Sequence, residues 1–272
     1  MSGKVSSECE VGAVRKALQI LCEFNASMPR LGPSDVSRRL GIPKSTAHNL
    51  LRTLESLDFL RQDPTDRRYR LGPRVYELGL RFSQSTDLVS AAMRHLRRLA
   101  EGTKETVKLA VLSSDEILIM AAIESPYQLH TRGDEGVRAA LHCTGLGKAV
   151  LSTLRTNEVL EIIKRRGLKK FTPNTITTPK RLLEELERIR ADRYSLDMEE
   201  NELGVVCVAA PIPVHVNGTV AALSVSAPSS RLNGERIQDY LRLVVPAARA
   251  VERELGSQRH TLVQKGTEKE TG

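Results

Sequence analysis

Apolar residues recur at helical spacing over residues 11–26, where Val14, Ala17, Leu18, Leu21 and Phe24 form one stripe. A shorter helix is predicted over 34–40, with Ser34 as N-cap, Val36 and Leu40 four residues apart, and Gly41 at the C-terminal stop. Gly41-Ile42-Pro43 is a tight break, and Pro43 suits the opening of a third helix because its missing N–H is not needed there. That helix runs to about residue 57, with Ala47, Leu50, Leu51, Leu54 and Leu57 on its buried side. Two short strands follow at 59–62 and 67–71, separated by the turn chemistry of Asp63-Pro64-Thr65-Asp66. Three helices and a hairpin in this order predict a winged helix-turn-helix.

Pro73 opens a further helix with Val75, Leu78, Gly79 and Phe82 on one side. Asp87 is placed to cap the next, which carries Leu88, Ala92, Leu96 and Leu99. Beyond it the pattern is mixed. Strands are predicted over 106–112 and 117–123 around a Ser113-Ser114-Asp115 turn, and over 205–214 and 219–227 around an Asn217-Gly218 hairpin signal. Helices are predicted over 147–154, 157–166, 179–190 and 232–255. The polar stretch after residue 255 is predicted to be disordered. The fold class is therefore α+β, divided into a winged helix-turn-helix over 10–72, a connecting helix over 73–86, a larger domain over 87–256 and a tail over 257–272. A chain of 272 residues suits two domains, at roughly 100–200 residues each.

Charge sharpens this division. Residues 1–72 hold 12 Lys and Arg against 8 Asp and Glu, half of the chain's net +8 in its first quarter. A basic segment favours a polyanion such as nucleic acid, through phosphate attraction and counterion release. With aromatics at 3% and no Trp, the core must be built from Leu, Val, Ile and Ala. Cys9, Cys22, Cys143 and Cys207 are too scattered for a zinc ribbon or a disulfide framework. No apolar run approaches the roughly 20 residues of a membrane span, and MSGKVSSECE has no signal-peptide core. A cytoplasmic setting without a membrane partner is expected.

The third helix carries the chemistry a DNA reader needs. Ser45, His48, Asn49 and Arg52 share one polar face opposite the leucines. Asn and Arg make bidentate contacts to A and G, and Lys44, Ser45 and Thr46 at the helix start suit phosphates. In the wing, Arg68 and Arg70 alternate onto one face while Arg67 adds charge at the turn. The competing reading is a solvated helix face beside a salt-rich hairpin, or a winged helix that binds protein; only a DNA binder loses affinity steeply with salt. An enzyme is less well supported. GLGKAV at 145–150 has His142 and Ala149 where a phosphate loop needs Gly and Ser or Thr, and neither GxSxG nor HExxH occurs. Cys207 with His142 or His215 is the remaining nucleophile–base combination. His142, Cys143 and Cys207 are metal-binding types, but adjacent His142 and Cys143 are poorly spaced for one closed site. No catalytic residue, metal or cofactor is expected.

The runs IPKSTAHNLLRTLESLDFLRQDPTDRRYRLG, LHCTGLGKAVLS and SLDMEENELGVVCVAAPIPVHVNGTVAALSVSAPSSR occur in that order, and with them the chain resembles the IclR family of bacterial transcription regulators from about residue 11 to about residue 255. The resemblance implies a linker helix, a GAF-like α/β effector-binding domain, and homodimers or dimers of dimers on palindromic operators in double-stranded DNA. It implies a repressor or activator, commonly of a catabolic operon, whose effector is a small molecule such as a carboxylate. Two positions depart from the family pattern: Asn49 stands where Arg is frequent, and Asp58 where Gly is usual, although Asp tolerates a left-handed turn. In the family's carboxylate-binding members the matching positions hold the ligand, here Gly145 and Leu146 by backbone and Asp197, Cys207, Ser224 and Ser226 by side chain. The chemistry agrees. Backbone N–H groups ahead of a helix starting near Gly147 attract an anion, and Ser224 and Ser226, two apart on a strand, face one side. Asp197, placed before the strand pair, would repel a carboxylate and instead accept from a ligand hydroxyl or orient its neighbours. The plain alternatives are a packed thiol at Cys207, ordinary strand serines, and a solvated acidic loop from Asp197 through Glu199, Glu200 and Glu202.

Overall fold

The computed structural model describes residues 11–25, 27–85, 87–216 and 219–267. The chain forms two compact units that divide between Ser85 and Thr86. The first contains α1 (Gly12–Cys22), α2 (Pro33–Leu40), α3 (Lys44–Ser56), β1 (Leu60–Gln62), β2 (Tyr69–Leu71) and α4 (Pro73–Ser85). Its core is a single cluster in which Ile20, Val36, Ala47, Leu51 and Leu54 of the three helices meet Leu60 and Tyr69 of the hairpin. This is the winged helix-turn-helix that the sequence predicts.

Local chemistry moves several boundaries. The helix α2 starts at Pro33 rather than after Ser34, because Asp35 reaches back to accept from the Gly32 N–H at 3.0 Å. It ends on Gly41 in the left-handed region (φ 64), where the absence of a Cβ removes the penalty. At the end of α1, Asn25 Oδ1 accepts from Ser27 N and Met28 N, each at 3.0 Å, and this local turn replaces the helix predicted to continue to residue 26. The wing strands are shorter than predicted because the turn between them draws in their ends. Asp63 N donates to Arg68 O at 2.8 Å, Arg67 N donates to Asp63 O at 3.0 Å, and Arg67 takes φ 57. Asp58 adopts φ 60, as expected for a residue standing where Gly is usual. Leu57, predicted to be buried, caps α3 with 54% of its surface exposed.

The second unit runs α5 (Asp87–Thr103), β3 (Thr106–Ser113), β4 (Glu116–Ile123), β5 (Arg138–Ala139), α6 (Gly145–Ser152), α7 (Thr156–Arg166), α8 (Pro179–Asp192), β6 (Ser195–Met198), β7 (Val205–Val216), β8 (Thr219–Pro228) and α9 (Gly234–Thr267). Among the described residues, six strands form one antiparallel sheet in the order β5-β4-β3-β8-β7-β6. Alternation along β3, β7 and β8 sends Val107, Leu109, Val208 and Val225 to a core with α5 and α9. It sends Ala110, Ala209 and Ala222 to a second core with α6, α7 and α8. The small residues on that second face let α6 lie close to the sheet. The Asn217-Gly218 hairpin signal and the side chain of Asp87 lie outside the described residues. The short strand β6 was not predicted: Asp197, ahead of the β7–β8 pair as expected, lies on this further strand, directly opposite Cys207. The helix α9 continues to Thr267, through residues whose polarity predicts a disordered tail; residues 268–272 lie outside the described ones.

The contrast between two leucines of α3 tests this packing. Leu51→Ala is expected to destabilise the first unit by about 2–5 kcal/mol, while Leu57→Ala should change stability by less than about 0.5 kcal/mol. Urea denaturation followed by circular dichroism measures both; equal losses would place Leu57 in the core.

Candidate functional site

In the first unit, Lys44, Ser45, His48, Asn49 and Arg52 are exposed along α3 and Thr46 is half-buried, while Ala47, Leu51 and Leu54 turn inward. Pro43 precedes the helix, so its first turn presents free N–H groups beside Lys44, Ser45 and Thr46. Between α3 and the hairpin lies a cleft of about 510 Å³ lined by His48, Arg52, Glu55, Gln62, Arg67, Tyr69 and Pro33. Its walls are tied together. Glu55 Oε1 accepts from Gln62 N at 3.1 Å, and Gln62 Nε2 donates to Arg67 O at 2.9 Å, which fixes the wing against the helix.

The wing arginines play different parts. Arg68 precedes β2 and does not alternate with Arg70 on the strand. Its guanidinium donates to Asp35 at 2.7 Å, stapling the wing to α2. The Gly32 N–H bond, then Arg68 and Arg38, hold the Asp35 carboxyl below the usual carboxylate range against the opposing cost of its burial. Arg70 stands directly across from Arg61 on the exposed face of the hairpin. Like charges in such a pair repel; the Arg70 charge also acts on the Asp63 carboxyl in the turn. Sequence reasoning missed Arg61 because its role depends on the register of the hairpin, which a four-residue turn motif does not fix.

In the second unit, the helix α6 begins at Gly145, two residues earlier than predicted, because Thr144 Oγ1 caps it by accepting from Gly147 N at 3.0 Å. Gly145 and Leu146 are thus the first two helical residues, and their N–H groups have no intrahelical partner. Antiparallel registers place two rows of residues under this helix. One crosses the sheet through Asp197, Cys207, Ser226 and Thr106, the other through Ser195, Ala209, Ser224 and Lys108. Ser195 Oγ donates to Gly145 O at 2.6 Å, fastening the helix start to the sheet. A Cβ on Gly145 would stand 3.3 Å from the Cys207 Cβ and 3.4 Å from that of Ala209, tight contacts that glycine avoids. The structure therefore brings together Gly145, Leu146, Asp197, Cys207, Ser224 and Ser226.

The polar groups of this site are largely withdrawn from solvent. Ser224 and Ser226 are buried, and the Ser224 hydroxyl has no hydrogen-bond partner among the described residues. Asp197 is buried rather than part of a solvated loop; its Oδ1 accepts from Glu200 N at 2.8 Å and Asn201 N at 3.4 Å. Burial raises its carboxyl from 3.8 to about 7, assisted by the neighbouring Glu200 charge and opposed by those N–H bonds and by Lys148. Burial, with the Asp197 charge, also pushes the thiols of Cys143 and Cys207 up to about 12, so both stay protonated near neutrality. His142 is occupied elsewhere: its ring bonds Lys169 O at 2.9 Å, and burial lowers its pKa. The side chain of His215 lies outside the described residues. Sequence reasoning also missed Lys148, whose ammonium is buried and paired with Glu200 and, at 3.4 Å, with Glu185. The signal was present in GLGKAV, where a lysine interrupts an otherwise apolar helix.

Comparison with known proteins agrees with both units. Residues 81–253 match the C-terminal domain of bacterial IclR transcriptional regulators, and residues 13–64 match the IclR helix-turn-helix domain. The chain is similar to the transcriptional regulator KdgR of Escherichia coli, with 34% identity over 90% of this chain and 93% of that protein. It is similar to the transcriptional repressor AllR of the same organism, with 34% identity over 91% and 92%. Among solved structures, an IclR homologue from Microbacterium hydrocarbonoxydans complexed with 4-hydroxybenzoate has 26% identity and a TM-score of 0.79, covering 90% of this chain and 99% of that one.

The buried carboxyl of Asp197 predicts a pH signature. Between about pH 4 and about pH 7 the unfolded chain is ionised at this position while the folded chain still holds the proton, so stability falls as pH rises through that window. Asp197→Asn keeps an oxygen for the two N–H donors and is expected to remove that fall from a plot of thermal midpoint against pH. A profile identical to that of the unmodified protein would show Asp197 ionised in the fold.

Proposed function

Because the chain belongs to the IclR family of bacterial transcriptional regulators, we propose that it binds a palindromic operator as a homodimer or dimer of dimers, with an affinity set by a small carboxylate. The observation that carries this reading is the polar row of α3, held rigid by a leucine core on its other side and flanked by a basic wing. The helix α3 enters the major groove, where Asn49 and Arg52 read base edges with His48 beside them, and Lys44, Ser45 and Thr46 meet phosphates at its N-terminus. Arg67 and Arg70 extend the phosphate track, Arg61 joins them, and Arg68 orients the wing through Asp35 while keeping an exposed side chain.

Division of labour follows residues 10–72 for DNA binding, 73–86 for the linker helix and 87–256 for the effector. Exposed apolar residues favour a second copy as partner: Val11, Val14 and Leu18 form a stripe at the start of α1, and Tyr76, Leu78 and Leu80 stand out on α4. Two copies place recognition helices in successive major grooves, about 34 Å apart. The effector lies between the first turn of α6 and the rows beneath it, with Gly145 and Leu146 donating by backbone and Ser224 and Ser226 by hydroxyl. Cys207 forms the floor, and Asp197 in its protonated form accepts from or donates to a ligand hydroxyl. The 4-hydroxybenzoate bound by the Microbacterium homologue is a carboxylate with a hydroxyl, the class this donor set suits. The effector shifts the dimer between a state that fits both half-sites and one that does not, by the difference in its affinity for the two. The protein works in the cytoplasm, on a catabolic operon, and catalyses no reaction.

Operator sequences selected from random duplexes and titrated by fluorescence anisotropy test the DNA-reading assignment. Arg52→Ala should weaken the selected site by about 1–3 kcal/mol and relax preference at one base position. Arg61→Ala and Arg70→Ala should weaken all duplexes alike and each reduce the salt slope by about one. Unchanged operator affinity in Arg52→Ala would remove that residue from the base-reading set.

A further inference from the structure

Lys108 ends the second row under α6 and stands directly opposite Ser224 across the β3–β8 pair. Its neighbours in sequence, Val107 and Leu109, turn into the core with α5 and α9, so Lys108 shares the other face with Ala110 and with the site. It is half-buried, yet no carboxylate pairs with it among the described residues. Two acids of the adjoining segment are committed elsewhere: Glu135 accepts from Ala122 N and Glu124 from Gly133 N, each at 2.8 Å. The contrast with Lys148 is direct, since that buried ammonium is paired with Glu200 and Glu185. The positive field of Lys108 reaches the Cys207 thiol, so the charge lies within range of the site's floor.

The donors of the site are therefore in excess. Among the described residues, a lysine ammonium without a counter-ion and a buried Ser224 hydroxyl without a partner adjoin a helix start with two N–H groups lacking intrahelical acceptors. Buried donors left unmatched cost free energy, and one Asp197 oxygen is already engaged by Glu200 and Asn201. An anion supplies the missing acceptors. We propose that Lys108 selects the charge of the effector: its ammonium takes one carboxylate oxygen of a small organic acid while Ser224 donates to the same group. The inference rests on the effector-site reading given above. It adds the residue that makes the site discriminate an acid from its own amide, because a neutral amide leaves the ammonium without a counter-charge.

Calorimetric titration of the full-length protein with pyruvate, lactate, gluconate and 4-hydroxybenzoate, each beside its amide, tests this. At least one acid should bind at millimolar concentration where its amide does not. Lys108→Met should then lower affinity for that acid by at least about tenfold, Lys108→Arg should retain it, and the far-ultraviolet circular dichroism of both variants should match that of the unmodified chain. Acid binding that is unchanged in Lys108→Met but lost when Ser224 and Ser226 are both replaced by Ala overturns the role of Lys108 and leaves the site in place. Acid binding that survives both sets of substitutions, or no binding of any acid to the unmodified protein, overturns the effector-site reading together with it. Should Lys108→Met fail to fold, Lys108→Gln replaces it, and equal binding of acid and amide by the unmodified protein overturns the proposal without any variant.

Discussion

Lys148 carries a positive charge to a place where 1% of its surface meets solvent, and the second unit is arranged to keep it satisfied. A buried ammonium is tolerated only with a partner, and removing one member of such a pair costs about 3–5 kcal/mol. Glu200 and Glu185 provide that partnership from the turn after β6 and from α8. The same turn is held from its other side, because Thr172 Oγ1 donates to Glu199 O at 2.7 Å and Thr175 Oγ1 to Glu200 O at 2.6 Å. Its backbone in turn donates to Asp197. The ion pair thus fixes the turn, the turn fixes the Asp197 carboxyl, and α6 is anchored over the row that contains Cys207 and Ser226.

The two units handle charge in opposite ways. On α3 and the wing, guanidinium and ammonium groups remain in water, where each contributes little alone and salt screens it. Such a surface works by summation along a polyanion. Under α6 the groups are few and desolvated, so one misplaced charge is costly and one matched charge is strong. A surface of the first kind tolerates many partners. A site of the second kind discriminates between small molecules that differ by a proton or a hydroxyl.

Helical periodicity made most of the first unit readable, because α3 turns Ala47, Leu51 and Leu54 inward, α2 turns Val36 inward, and Gly41 and Pro43 mark the break between them. On α1 the fully buried residue is Ile20, outside the stripe read from the sequence, of which Val14 and Leu18 stay exposed. The long strands β7 and β8 were readable for a similar reason, as runs rich in Val and Ala. What stayed hidden depends on contacts between distant residues. β6 has four residues, Ser195, Leu196, Asp197 and Met198, and becomes a strand only because β7 offers it an edge. The start of α6 is set by the Thr144 hydroxyl, a side-chain choice that periodicity does not register. Leu57 follows the leucine pattern of α3 but falls beyond its last turn, where more than half of its surface stays exposed. The site residues were readable by resemblance to a family; Arg61, Lys108 and Lys148 required strand registers and helix placement.

The 3.3 Å between an imagined Cβ on Gly145 and the Cys207 Cβ has a bearing on how such a site diversifies. Gly145 belongs to a wall made of main chain, which substitution cannot enlarge, and which presents the same N–H groups whatever the neighbouring side chains are. The opposite wall consists of strand positions, Cys207, Ala209, Ser224 and Ser226, whose side chains exchange readily for others of similar volume. New ligand preferences are then expected to arise by changes on the strands, one pleat at a time, while the helix end stays constant. A lineage built on this plan keeps the helix end constant and varies the side chains that face it.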